Sequence, residues 1–287
     1  STEHVTYLPL SLEWSVDSLL DAIANASPPY NALIDTGALV TGLTNLQVAA
    51  RLLTAGLPQV DAVVYLDEYD RKMALLRNGR KIVELAECGV ALEKRFTFYD
   101  QVHTTGMDIP QLLNAHAVLT LGKDMVFRDF AQGAFRLRQI GHGQKLTLFV
   151  IPEVMQLIGS HVARCRRQSV ADYSRAFSAL PPHDQWAQML KDVVAWLLIN
   201  TILLERAQFK LLCEQNLSSV WRKHAYKNLL SGWERLLPPT ATHARMQASP
   251  AAYDHGGSDD SPEVLKLSVG VFREGVDFSV ENAVPAY

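Results

Sequence analysis

The sequence predicts an α/β fold: a mostly parallel sheet with flanking helices, followed by a helical appendage. Three observations carry that expectation. Apolar runs rich in β-branched and aromatic residues recur at 62–66 (AVVYL), 96–102 (FTFYDQV), 115–122 (AHAVLTLG) and 146–151 (LTLFVI), each of strand length. Stretches with helical apolar spacing lie between several of them, the alternation that builds a parallel sheet covered by helices. The runs at 96–102 and 117–121 are apolar on both faces, as central parallel strands are, and both end in polar loops. Chemistry in an open α/β sheet gathers at such carboxyl ends.

Taken in order, residues 1–29 form an N-terminal lead-in: a short extended piece, then a helix over 15–25 with Ser15 as cap and Asp17 in the first turn, stopped by Ser27-Pro28-Pro29. The α/β domain runs from 30 to 152. A strand at 32–40 is interrupted by Asp35-Thr36-Gly37. A helix begins at Thr44 or Asn45, with Val48, Ala49, Leu52 and Leu53 on one face, and closes at Gly56 and Pro58. Strand 62–66 ends in Asp67-Glu68. Two short runs, 73–76 and 81–85, flank Asn78-Gly79, a pair suited to a tight hairpin. After the strands at 96 and 117, residues 127–140 carry Phe127, Phe130, Ala131, Ala134, Phe135 and Leu137 near helical period. Gly141-His142-Gly143 reads as a helix stop and turn. Residues 153–237 read as a helical appendage with a break at Leu180-Pro181-Pro182-His183. Residues 238–263, rich in Pro, Ser, Ala and Gly, read as a flexible linker, and 264–287 as a C-terminal strand or tail.

Bulk properties narrow the function classes. The 287-residue chain is 48% apolar and 20% charged with a net charge of −3, an ordinary globular balance with no general attraction to nucleic acid or anionic membrane. The three cysteines, Cys88, Cys165 and Cys213, have no metal-ligand spacing, so no metal site is expected, and their sparseness suggests free thiols in a reducing, intracellular setting, cytoplasmic or nuclear. Residues 1–4 do not open a signal peptide. The apolar run 193–204 is 12 residues long with Asn200 and Thr201 inside it, shorter than a membrane span.

Two constellations carry candidate chemistry. Cys88 sits beside Gly89 in a loop, and His103 at the mouth of a central strand, so a thiol nucleophile and its base are available. Asp108 or Asp124 is the expected orienting acid. Asp100, three residues from His103, would point to the opposite face if the strand continued. The competing reading is a structural cysteine and a loop histidine. The second constellation is Thr104-Thr105-Gly106-Met107-Asp108 with Gln132, Arg136 and Arg138. Hydroxyls and glycine after a strand hold phosphate through backbone N–H groups, and a helix arginine reaches it. Equally, these arginines can bridge to Asp108, Asp124 or Asp129. Asp67, Glu68 and Asp70 read as a solvated acidic loop, and Arg164-Cys165-Arg166-Arg167 as a solvated helix face. No GxxxxGK[ST] loop occurs in the chain.

Two resemblances follow from these residues. Strand, TTGMD loop, strand and a helix bearing Gln132-Gly133-Ala134-Phe135-Arg136 resemble the second RecA-like lobe of superfamily-two helicases and the SecA motor. The match falls on Thr105, Gly106, Asp108, Gln132 and Arg136. It departs at the next arginine, since Arg138 comes one residue early and Gln139 stands in its place. The longer strings ALIDTGALVTGLTN, FTFYDQVHTTGMDI, LTLGKDMVFRDFAQGAFRLRQIG, VWRKHAYKNLL and VFREGVDFSVENAVP are similar to very large eukaryotic proteins catalogued as ubiquitinyl hydrolases, a family that carries a Walker-type loop upstream of this segment.

The family resemblance implies a thiol-dependent ubiquitinyl hydrolase, a deubiquitinating cysteine peptidase with Cys88, His103 and Asp108 as catalytic residues, ubiquitin or a ubiquitin-like protein as partner, and no cofactor. The motor resemblance implies an ATPase lobe that contacts ATP and magnesium through Thr105, Gly106, Gln132 and Arg136 and is inactive without its upstream lobe, the Lys loop being elsewhere. A scaffold domain with neither activity is the third reading.

Overall fold

The structure, a computed structural model, describes residues 4–104 and 107–236, with side chains through 229. Contacts divide the chain into two compact units, residues 1–204 and 205–287.

The first unit is built on an eight-stranded sheet: β1 (Val5–Pro9), β2 (Ala32–Ile34), β3 (Ala62–Leu66), β4 (Lys72–Leu76), β5 (Ile82–Glu84), β6 (Arg95–Tyr99), β7 (His116–Thr120) and β8 (Lys145–Val150). The spatial order is β1-β8-β7-β2-β6-β3-β4-β5. The first six in that order are parallel; β4 and β5 extend the sheet antiparallel from β3. The α/β expectation holds in this mixed, mostly parallel form, and β6 and β7 flank the central β2 as their two-sided apolar sequences require. β2 is three residues long, and all three are buried.

The helices begin where the sequence places them. In α1 (Val16–Ala24) Ser15 caps the Ser18 amide while Ser18 Oγ accepts from the Ser15 amide, and Thr44 and Gln47 make the same reciprocal pair at α2 (Asn45–Ala55). Each cap contributes about 1 kcal/mol. α1 and α2 pack on each other and bury Leu19, Leu20, Ile23, Val48, Leu52 and Leu53. α3 (Phe127–Ala134) stops at 134, short of the expected 140, and turns lead into β8. α4 (Pro152–Cys165), α5 (Val170–Ser178) and α6 (Pro182–Leu236) complete the described chain.

Two boundaries differ from expectation. The lead-in is part of the sheet, because β1 pairs in parallel with β8 from Val5–Leu146 to Pro9–Val150. The helical region after 152 does not begin a separate body: Val154, Ile158, Val162, Met189, Val193, Trp196 and Leu197 belong to the core of the first unit. Buried Asp192 ties these helices together, accepting from Arg166, Tyr173 Oη at 2.8 Å and Gln188. Burial, then that carboxylate, push the Tyr173 phenol well above its ordinary pKa. One helical stretch within 182–229 is long and apolar enough to cross a membrane by length and composition, but on the first-unit side Trp196 and Leu197 are fully buried and Asn200 donates to the Met125 carbonyl. In the second unit, Phe209, Leu211, Leu212 and Tyr226 are exposed. The expected linker and tail, 238–287, lie outside the described residues.

Candidate functional site

The route of the chain through the sheet determines where a ligand fits. β2 is followed by α2 and then β3, on one side of β2, whereas β7 is followed by α3 and then β8, on the other side. β2 and β7 are neighbours, so their outgoing connections diverge. That is a topological switch point, and the crevice it opens at the carboxyl edge is where open α/β sheets bind ligands.

A cavity of about 370 Å³ occupies that crevice, lined by Thr36, Gly37 and Ala38 after β2, Gln101 and Thr104 after β6, Gly122 to Met125 after β7, and Asp129 and Gln132 of α3. Its floor is two abutting backbones. A Cβ on Gly37 would lie 2.6 Å from the Gly122 amide nitrogen, and one on Gly122 2.6 Å from the Gly37 carbonyl oxygen, so only glycine permits this approach. Gly133 lets α3 close directly onto the Thr36 hydroxyl.

Asp35 is the strut beneath. Its carboxylate accepts from the Leu39 and Val40 amides at 3.0 and 2.9 Å and from Thr120 Oγ1 at 2.6 Å, and Thr120 Oγ1 in turn accepts from the Gly37 amide. Burial raises the Asp35 pKa despite these donors. Thr36, only 8% exposed, has a hydroxyl with no partner among the described residues, and an unpaired buried hydroxyl costs free energy. Lys123, exposed at the same cavity, also has no hydrogen-bond or ion-pair partner among the described residues.

The expected thiol site is arranged differently. Cys88 lies in the connection before β6, is 7% exposed and packs in the hydrophobic core. His103 lies after β6, and its two ring nitrogens face two carboxylates: Nδ1 is hydrogen-bonded to Asp100 Oδ1, and Nε2 lies 2.7 Å from Asp70 Oδ1. No hydrogen bond joins His103 to Cys88 or to Asp108 among the described residues. Asp100 reaches the ring because the strand ends at Tyr99 and the chain turns, which removes the strand alternation that would point it away. Asp108 instead faces Arg138 at 3.5 Å, while its carbonyl accepts from Lys72 Nζ at 2.6 Å. Burial lowers the His103 pKa, but hydrogen bonding and charge from Asp70 and Asp100 outweigh it, and the net shift is upward.

The expected nucleotide contacts divide. Thr105 and Gly106 lie outside the described residues. Gln132 lines the crevice. Arg136 does not: it is 9% exposed and hydrogen-bonded through Nη1 to the Met107 carbonyl, with no partner for Nε among the described residues. It holds the loop after β6 at the Met107 carbonyl and does not line the cavity. Thr36, Lys123 and Gln101 were not expected as site residues. Their signal was weak: Asp35-Thr36-Gly37 interrupts a strand, and Gly122-Lys123-Asp124 ends one.

No family model, curated protein or solved structure matches this chain. Chemistry is therefore read from the site alone.

A second cavity, about 440 Å³, lies along the same edge, lined by Thr44 to Leu46, Tyr65 to Tyr69, Arg71, Asp100 and His103. Here Asp67 accepts from the Tyr69 and Arg71 amides and the Arg71 guanidinium. Desolvation works upward on Asp67, but these donors together hold its pKa below the usual carboxylate range. Arg71 also lies 5.3 Å over the Tyr69 ring. The acidic loop expected to be merely solvated is thus internally paired, and its Asp70 reaches a histidine 33 residues away.

Proposed function

We propose that this chain is the second RecA-like lobe of a two-lobed, ATP-driven motor, and that it forms one wall of a nucleotide site completed by an upstream lobe. The reading rests on one observation: among the described residues, Thr36 Oγ1 is buried without a partner and the Lys123 ammonium has none, and both residues line the switch-point crevice. Buried polar groups are normally satisfied, and an orphan hydroxyl on a residue that lines a cavity supports a ligand there.

The lining fits a partial contact with such a ligand. Lys123 and the Thr36 hydroxyl suit a phosphate oxygen, Gln132 presents an amide, and Asp124 and Asp129 suit the donor hydroxyls of a ribose. One lysine against two carboxylates cannot balance a triphosphate. The remaining charge, magnesium and the phosphate-cradling loop belong to the upstream lobe. ATP supplies the phosphoryl group when both lobes are present; this chain orients it and excludes water from one side.

The thiol-hydrolase reading has less to rest on. It needs Cys88 to leave the core and His103 to leave Asp70 before base and nucleophile could meet.

The test is amide chemical-shift mapping of the 287-residue chain titrated with ATP and magnesium. Weak binding with shifts at Thr36, Gly37, Gly122, Lys123 and Gln132, abolished by Lys123→Ala, is the expected result. Shifts elsewhere or none would overturn the motor reading. So would covalent capture of a ubiquitin probe bearing a thiol-reactive C-terminus, in wild type but not in Cys88→Ala.

A further inference from the structure

We propose that His103 is a proton-dependent clasp that fastens the loop after β6 to the β3–β4 turn, so that the wall shared by the two carboxyl-edge cavities is closed when the imidazole is charged and released when it is neutral. This inference is independent of what the crevice binds.

The geometry carries it. Both ring nitrogens face carboxylate oxygens, Asp100 on one side and Asp70 on the other. A neutral imidazole has one N–H and can donate to only one of them; the doubly protonated ring donates to both. The proton therefore creates the second arm. The arms differ in kind. Asp100 is three residues away, with its side chain mostly covered, so that arm is local. Asp70 is in a different turn, its side chain is 73% exposed, and it holds the left-handed conformation with φ +60°. The Asp70 arm spans two segments and faces water, so it is the arm that opens.

The loop so fastened supplies Gln101 and Thr104 to the switch-point cavity, while His103 and Asp100 line the other. Other charged groups face this junction. Asp67 and Arg71 are committed to each other, Glu68 lines the same cavity, and Lys72 is held by the Asp108 carbonyl. None of these hydrogen-bonds the ring among the described residues. The upward pKa shift of His103 has the sign that two facing carboxylates impose on a clasp of this kind.

The test combines imidazole ¹⁵N titration of His103 with amide hydrogen exchange, corrected for intrinsic rates. The amides of His103 and Thr104 donate to Asp100 and Gln101 carbonyls and report loop closure. His103 should titrate above about 6.5, and protection of these two amides should fall about tenfold for each unit by which its pKa is raised, while β6 amides hold. Asp70→Asn, an exposed substitution that leaves the core untouched, should lower the midpoint and flatten the pH dependence. A His103 midpoint at or below 6.5, pH-independent protection in the wild type, or an Asp70→Asn profile identical to wild type would each overturn the clasp.

Discussion

The cavity at the β2–β7 junction and the one beside the β3–β4 turn are similar in size, about 370 and 440 Å³, and open on the same edge of the same sheet. Their polar groups are in opposite states. At the first, Thr36 Oγ1 and Lys123 have no partner among the described residues. At the second, Asp67 and Arg71 pair, and His103 is held between two carboxylates. Satisfied groups contribute to holding a loop, and unsatisfied ones detract from stability until something binds. The contrast separates a place built to receive from a place built to fasten.

Gly37→Ala should break the contrast most severely. Its Cβ would meet backbone atoms of Leu121 and Gly122 at 2.6 Å, and neither can step aside, so a loss of about 3 kcal/mol in urea unfolding is expected. Next, His103→Gln should cost roughly 2 kcal/mol at pH 6, where the charged ring donates to both acids, and far less at pH 9. The sign follows from the raised folded pKa: the clasp's contribution is complete below the unfolded value near 6.5 and is lost as pH rises through the higher folded value. A stability profile of the wild type that is flat from pH 6 to 9 would contradict this. Thr36→Val should change stability by no more than about 1 kcal/mol, toward greater stability, because it removes an unpaired hydroxyl at constant volume. Lys123→Ala should shift stability by less than about 0.5 kcal/mol while removing the ATP-dependent shifts. Together the last two distinguish a receiving site, which loses binding and keeps its fold, from the fastening one, which loses fold stability.

Much of the sheet was legible because burial imposes a pattern. AVVYL, FTFY and LTLFV have no polar face to place in water, and each becomes an interior strand. Ser15 and Thr44 were legible as caps because capping is a local transaction within three residues. β1 gave a weaker signal: at the sheet's edge its residues are only partly covered, and its partner is 141 positions away. The end of α3 was misplaced because Phe135 and Leu137 keep the helical rhythm after the backbone has left it. At the site, the carboxyl-end loops were legible as places. Their pairings were not, because His103–Asp70 and Gly37–Gly122 are made by segments distant in sequence. Asp100 was set aside on strand alternation, which ended one residue before it.

The register of β1 against β8 has a consequence for biosynthesis. Among the strands of this sheet β1 is made first and takes as its partner β8, the last to be made, and at ordinary elongation rates that wait is roughly 10 to 30 s. During it β1 is an unmatched strand, and β8, once made, presents a bare row of amides and carbonyls until Val5–Pro9 lies beside it. A nascent chain that has released β1 but not yet β8 is therefore a form of this protein in which strand exchange with a neighbour is readily trapped.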